Sequence, residues 1–251
     1  MKFLGIDLGW STGPSGLCCL HWRNGELHLQ DLDRQGAIAD IVTWIKAHVS
    51  LDEPAGIAVD APTLIPNATG MRLPDRLAHQ YFGKYHAGCY PANLGLPFAP
   101  RLVEFGLTLE SMGFAHAPTL TPQQPQRYQI EVFPHPAMVH LFGLDRILKY
   151  KKGRLAERRA ELECLRTYIL TILPTLEPAI AHSSLTDLPP IPTKGTELKA
   201  VEDQLDSLMC AYVAAHWWYW GDARNWVLGD RPSGYIVVPA PAANPDLRPE
   251  N

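Results

Sequence analysis

The chain has few cysteines, no long apolar run and no strong excess of charge of one sign. Its five cysteines form no CxxC pair and no Cys/His zinc spacing. Their odd number argues against a disulfide framework. No apolar run approaches the roughly 20 residues of a membrane-spanning helix, and the first residues do not resemble a signal peptide. We therefore expect a cytoplasmic protein with no membrane partner.

The charge balance limits the partners that the whole surface can attract. The chain has 22 basic and 26 acidic residues and a formal net charge of -4. A polyanionic partner must therefore bind at a local cationic patch. The length of 251 residues, 46% of them hydrophobic, predicts a substantial core. We expect one domain over 1–238 and a disordered tail over 239–251, and we leave homo-oligomerisation open.

The first part of the chain predicts an α/β fold. A strand over Lys2–Leu8 precedes two apolar runs that flank Asn24-Gly25, a strong hairpin signal. Helical spacing over Ala37–Val49 then leads to the strand "AGIAVDAP". A helical crossover places this fourth strand parallel to the first. The strand "RYQIEVFP" comes fifth.

The rest of the chain is predicted to contain one segment without periodicity, several helices and a final hairpin. Residues 62–127 are rich in Gly, Pro and His, and we interpret them as an insertion or lid with short helices over Asp75–Phe82 and Arg101–Met112. Further helices are predicted over Pro136–Phe142, from the basic stretch 148–159 to Leu173, and over Glu197–Trp220. The runs "NWVLGD" and "GYIVVP" predict a final hairpin.

Three acidic residues fall near the carboxyl ends of strands predicted to be parallel. They are Asp7, Asp60 and Glu131. Ligands bind at that edge in open α/β sheets, and adjacent strands lie about 4.8 Å apart. Such carboxylates repel one another unless a cation such as Mg²⁺ or Mn²⁺ binds them.

The late helix carries further acids. Asp203 and Asp206 share one side of it, and Asp206 lies on the flank of the apolar stripe. Glu202 lies equally near that stripe, so the helix alone does not single out one acid.

Four motifs resemble, in order, those of the predicted RNase H-like nuclease family catalogued as domain of unknown function 429. They are "GIDLGW", "GIAVDAP", "QIEVFPHP" and "EDQLDSLMCAYVA", with "GMRLPDRLA" and "LKYKKGR" between them. The resemblance implies an RNase H-like mixed sheet of five strands in the order 3-2-1-4-5, with strand two antiparallel and an insertion between strands four and five.

The resemblance also implies two-metal hydrolysis of phosphodiesters in nucleic acid, with Mg²⁺ or Mn²⁺ as cofactor. Asp7 and Asp60 match the acids of strands one and four, and Glu131 resembles the family's fifth-strand acid. Asp206 matches the acid of the carboxyl-terminal helix. These four residues are the expected catalytic acids, and Asp203 joins them as an expected metal ligand.

Cationic residues and a histidine are candidates for substrate binding, although a solvated charged face is the commoner explanation for such residues. His135 is also a candidate to aid proton transfer or to orient a carboxylate. The candidates are Arg72, Arg76, Lys84, His135, Lys151 and Lys152.

Two other functions remain open at this point. The segment "GIDLGWSTGPSG" resembles the first phosphate loop of ATP-dependent kinases and ATPases of the actin and sugar-kinase class. However, Ala61-Pro62 follows Asp60 where that class has a glycine-rich second loop. The other alternative is a non-catalytic scaffold that kept the fold.

Overall fold

A computed structural model describes residues 1–244, 247 and 249. Within them, a mixed main sheet carries helices on both faces, and a small second sheet packs beside it. The strands are β1 Lys2–Asp7, β2 Ser15–Arg23, β3 Glu26–Gln35, β4 Ala55–Val59, β5 Ala115–His116, β6 Arg127–Glu131, β7 Asn225–Asp230 and β8 Gly234–Pro239. The α-helices are α1 Ile38–His48, α2 Leu73–Phe82, α3 Ala99–Ser111, α4 Pro134–Phe142, α5 Leu155–Thr171 and α6 Gly195–Trp220.

The main sheet has the order β3-β2-β1-β4-β6-β5. β2 is antiparallel to β1, whereas β4 and β6 continue the sheet parallel to β1. This arrangement is compatible with an RNase H-like fold, but the sheet has six strands and not the expected five. The additional strand, β5, is two residues long and pairs with β6 inside the segment predicted as an insertion or lid. So short a strand has no periodicity that a sequence can show.

The two faces of the main sheet are covered by different helices. α6 packs against β1, β2 and β4, while α1 and α3 cover the opposite face. Gly5 and Gly16 allow α6 to lie directly on the sheet, because a Cβ at either position would collide with the backbone of the helix. This close approach places the acids of α6 beside the end of β1.

The second sheet consists of the predicted final hairpin, β7 and β8. It packs against α2, and β8 is linked to the main sheet by a bridge between Val132 and Val237. The segment predicted as an insertion is therefore divided, since α2 contacts the hairpin and α3 contributes to the core of the main sheet.

The chain after β8 starts with ordered contacts. The backbone amide of Ala240 donates to the carbonyl of Arg224, and that of Ala242 donates to the carbonyl of His140. Pro239, the first residue of the tail expected to be disordered, is the last residue of β8, and the disorder of the rest of that tail stays a prediction. Residues 245, 246, 248, 250 and 251 lie outside the described residues.

None of the helices in the described part of the chain combines the length and apolar character needed to span a membrane.

Candidate active site

Asp7 and Asp60 lie side by side at the carboxyl ends of two adjacent parallel strands. Asp7 ends β1, Asp60 follows β4, and the amide of Asp60 donates to the carbonyl of Ile6 at 2.9 Å. Ile6 and Val59 pack into the core on the α1 and α3 face. Because side chains alternate along a strand, the two carboxylates point to the face covered by α6.

Asp206 on α6 faces these two acids and is fully buried. The hydroxyl of Tyr150 donates to its Oδ1 at 2.6 Å, and the ammonium of Lys151 lies 2.8 Å from its Oδ2. The side chain of Lys151 is 33% exposed, so it reaches the cluster from the solvent side. Asp206 is thus held by two residues of the basic stretch predicted at 148–159.

Two carboxylates of this cluster, those of Asp7 and Asp60, have an increased affinity for protons. Burial raises the pKa of Asp7 well above its ordinary value; Lys151 opposes the rise, and the carboxylates of Asp206, Asp60 and Asp203 add to it. Burial likewise raises the pKa of Asp60 to about 6, with the same opposition from Lys151 and a contribution from Asp206. The carboxylates of Asp7, Asp60 and Asp206 thus share the ammonium of Lys151. Because the negative charges outnumber this positive charge, the cluster favours the binding of an additional cation.

Glu131 lies on the other face of the sheet. Its partner in register on β4 is Val59, and both side chains point away from α6. Arg72 donates to Glu131 at 2.7 and 2.6 Å and to Asp75 at 2.7 Å, and all three side chains are buried. Burial raises the pKa of Glu131, and the guanidinium of Arg72 opposes that rise. Glu131 and Arg72, predicted as metal ligand and substrate contact, therefore form a buried ion pair.

Asp203 forms ion pairs with two cationic residues. Arg34 donates to it at 2.8 Å, and the ammonium of Lys199 lies 2.7 Å from its other oxygen. Glu202, the alternative acid on this helix, pairs with Lys199 and Arg158. The two acids therefore belong to a row of ion pairs along α6.

The five acids predicted as metal ligands do not converge into one preformed cage. Among the described residues, no group of three or more His, Cys, Asp or Glu side chains is arranged to hold a metal ion. The physical reason lies in the register, because Glu131 faces away from Asp7 and Asp60 while Asp203 is saturated by cations. Asp7 and Asp60 remain the strand-end acids that share one face of the sheet, the face covered by α6.

A cavity of about 560 Å³ opens above this edge. Its floor includes Asp7, Asp60 and Glu131. Of the six predicted substrate-binding residues, four line it: Arg72, His135, Lys151 and Lys152. The other two lie elsewhere on the surface: Arg76 donates to the carbonyl of Met71, and Lys84 lies over the ring of Tyr85.

The family model for proteins of unknown function DUF429 matches residues 5–232. The chain belongs to this family. The match extends from β1 into the second sheet and includes every wall of the cavity except Ile236. No curated protein and no solved structure matches the chain.

Several residues at the site of this DUF429 protein were not predicted. Trp10 and Tyr90 line the cavity, and Tyr150 holds Asp206. The alternation of Lys149 and Lys151 with the buried Tyr150 is visible in "LKYKKGR" and signals an extended segment with one apolar face. Trp10 and Tyr90 lie in aperiodic loops, where the sequence offers no comparable signal.

Proposed function

We propose that the protein is a metal-dependent nuclease that hydrolyses phosphodiester bonds at the cavity above β1 and β4. One observation carries the proposal. Asp7 and Asp60 lie together at the carboxyl ends of adjacent parallel strands, on the floor of that cavity, with Asp206 and the ammonium of Lys151 beside them. Active sites of open α/β sheets lie at this edge.

The donor set suits Mg²⁺ or Mn²⁺ when substrate is present. Mg²⁺ is commonly bound by one or two carboxylates, with water and substrate phosphate completing its coordination. Asp7 and Asp60 provide these two carboxylates, and Glu131, Asp203 and Asp206 stay predictions as ligands. When bound, the cation would lower the pKa of a water molecule and stabilise the leaving oxygen.

The chain's own residues have distinct parts in this proposal. Lys151 neutralises part of the acidic cluster before a cation arrives, and its solvent access lets it leave Asp206 when one binds. Lys152 lies at the wall of the cavity, where it attracts a phosphate. Burial lowers the pKa of His135 to about 4, so its imidazole is uncharged at neutral pH. It then offers a hydrogen bond without adding charge.

The test is hydrolysis of single-stranded, duplex, hybrid and branched nucleic acids with Mg²⁺, with Mn²⁺ and with EDTA. We expect cleavage that EDTA abolishes and that falls at least 100-fold in Asp7→Asn and in Asp60→Asn. The matched control is Asp187→Asn, which removes an exposed carboxylate outside the cavity lining and should retain full activity.

Three results would overturn the proposal. Cleavage by Asp7→Asn at the rate of the unmodified protein would exclude the cavity as the active site. Turnover of ATP without cleavage of any nucleic acid would favour a kinase or ATPase. The absence of both activities, with no Mn²⁺ bound in calorimetry, would favour a scaffold.

A further inference from the structure

The walls of the cavity combine aromatic and cationic side chains in a small volume. A cavity of about 560 Å³ is within the size range of sites for small ligands. Its aromatic walls are Trp10, Tyr90 and Phe133, and its cationic walls include Lys149 and Lys152. This composition fits a ligand that has both an aromatic ring and an anionic group.

Lys149 and Lys152 are the cavity cations that lack an acidic partner. Arg72 is paired with Glu131, and Lys151 is paired with Asp206. Within the described residues, neither Lys149 nor Lys152 has a carboxylate within ion-pair distance, and both are exposed. Two ammonium groups are thus available for an anion at the wall of a cavity whose floor is acidic.

Tyr90 presents an aromatic ring beside Lys152. It is 70% exposed, which is unusual for a side chain of its size. The Nζ of Lys152 lies 3.4 Å from its hydroxyl and 6.0 Å from its ring centroid. A base that stacks on Tyr90 would therefore have its phosphate within reach of Lys152.

A buried polar atom inside the cavity also lacks a partner. Nδ1 of His135 is buried and makes no hydrogen bond within the described part of the chain. His135 lines the same cavity, and its ring lies 5.5 Å from that of Tyr150. Buried polar atoms are rarely left without a partner, so Nδ1 of His135 is a hydrogen-bonding group beside the cavity that the described residues leave unused.

We propose that the cavity binds a single nucleotide unit, either a free nucleotide or an unpaired nucleotide of a single strand, with its base on Tyr90 and its phosphate beside Lys149 and Lys152. A paired duplex keeps its bases stacked inside, where Tyr90 does not reach them. This inference rests on the proposed function, which assigns the acidic floor of the cavity to phosphodiester hydrolysis. It narrows the substrate class from nucleic acid in general to ligands with a free or unpaired nucleotide.

Calorimetric titration with thymidine 5′-monophosphate tests the binding site without any cleavage, because this ligand contains no phosphodiester. We expect thymidine 5′-monophosphate to bind at least tenfold more tightly than thymidine or inorganic phosphate. A blunt 12-base-pair duplex should bind more weakly than an oligothymidine of 12 nucleotides.

Variants locate the site. Stacking on an aromatic side chain contributes about 1–3 kcal/mol per base, so Tyr90→Ala should weaken binding by about fivefold or more. Tyr90→Phe retains the ring and should restore binding. Lys152→Ala should weaken the binding of thymidine 5′-monophosphate but leave the binding of thymidine unchanged. The matched control is Lys46→Ala, an exposed lysine of α1 outside the cavity lining.

The outcomes separate this inference from the nuclease proposal. Nucleotide binding that depends on Tyr90, without any cleavage, supports the binding site and overturns the nuclease. Cleavage of duplexes that is indifferent to Tyr90→Ala, without binding of the mononucleotide, supports the nuclease and overturns this inference. Equal binding of thymidine 5′-monophosphate by Tyr90→Ala and the unmodified protein would also overturn it.

Discussion

Two acidic clusters lie at the same edge of the main sheet but differ in how their charge is balanced. On one face, Glu131 and Asp75 share the buried guanidinium of Arg72, which donates hydrogen bonds to both. On the other face, Asp7, Asp60 and Asp206 share one partly exposed lysine. In the first cluster a fully buried guanidinium serves two carboxylates through direct hydrogen bonds, whereas in the second the partly exposed ammonium of Lys151 serves three.

We interpret this difference as one between a structural cluster and the candidate functional site. A buried ion pair with good geometry and satisfied hydrogen bonds holds neighbouring elements in place. The pair between Arg72 and Glu131 connects the start of α2 to the end of β6. A crowded group of carboxylates that lines a cavity and whose cation is partly exposed is instead a candidate functional site. The acids of the two clusters should therefore respond oppositely to substitution.

The largest expected effect is that of Arg72→Ala. Removal of one partner from a buried ion pair costs about 3–5 kcal/mol, and here it leaves both Glu131 and Asp75 without their cation. Urea unfolding should show this loss of free energy of unfolding. Arg72→Lys should recover only part of it, because an ammonium cannot form the paired hydrogen bonds of a guanidinium.

Arg76 provides the control for that substitution. It is exposed and donates only to the carbonyl of Met71, so Arg76→Ala should change the free energy of unfolding by no more than about 0.5 kcal/mol. A loss of less than 1 kcal/mol in Arg72→Ala would show that the first cluster does not hold the fold, and the comparison would fail.

An intermediate effect is expected for Lys151→Gln. This variant removes the ammonium from the second cluster, and without metal it should lose about 1 to 2 kcal/mol, less than a fully buried pair because Lys151 is partly exposed. Saturating Mn²⁺ should raise its Tm by more than it raises that of the unmodified protein. Thermal unfolding with Mn²⁺ and with EDTA measures both shifts. Equal shifts would show that Lys151 and the metal do not compete.

The smallest effect concerns the pH dependence of stability. The pKa of Asp60 is raised from 3.8 to about 6, so the folded state binds this proton more tightly than the unfolded state. The contribution of Asp60 to stability is therefore full below about pH 4 and is lost as the pH rises through about 6. Asp60→Asn should raise the free energy of unfolding by about 1 kcal/mol at pH 7.5 and by less at pH 4.5.

Urea unfolding at these two pH values measures that difference. The exposed carboxylate of Asp187 serves as the control. Asp187→Asn should leave the free energy of unfolding unchanged at both pH values. If Asp60→Asn instead loses stability at pH 7.5, the carboxylate is stabilising when ionised, and the second cluster resembles the first.

The elements with strong patterns could be predicted from the sequence. The hairpin at Asn24-Gly25, the helix α1 and the parallel strand β4 are formed where turn signals and apolar spacing predicted them. Their patterns follow from local geometry and from burial on one face. The short strand β5 and the walls formed by Trp10 and Tyr90 could not be predicted, because they depend on contacts between distant segments.

The sequence by itself determined that Asp7 and Asp60 lie at the carboxyl ends of two parallel strands, because the apolar runs and the crossover helix predict both strands and their relative direction. Only the tertiary structure decided the orientation of each acid and the cation it meets. A register set by hydrogen bonds between strands turns Glu131 to the opposite face, and the approach of α6 over Gly5 and Gly16 brings Asp206 to Lys151. Side-chain direction alternates with every residue, so charge pairing across a sheet depends on contacts that no local pattern contains.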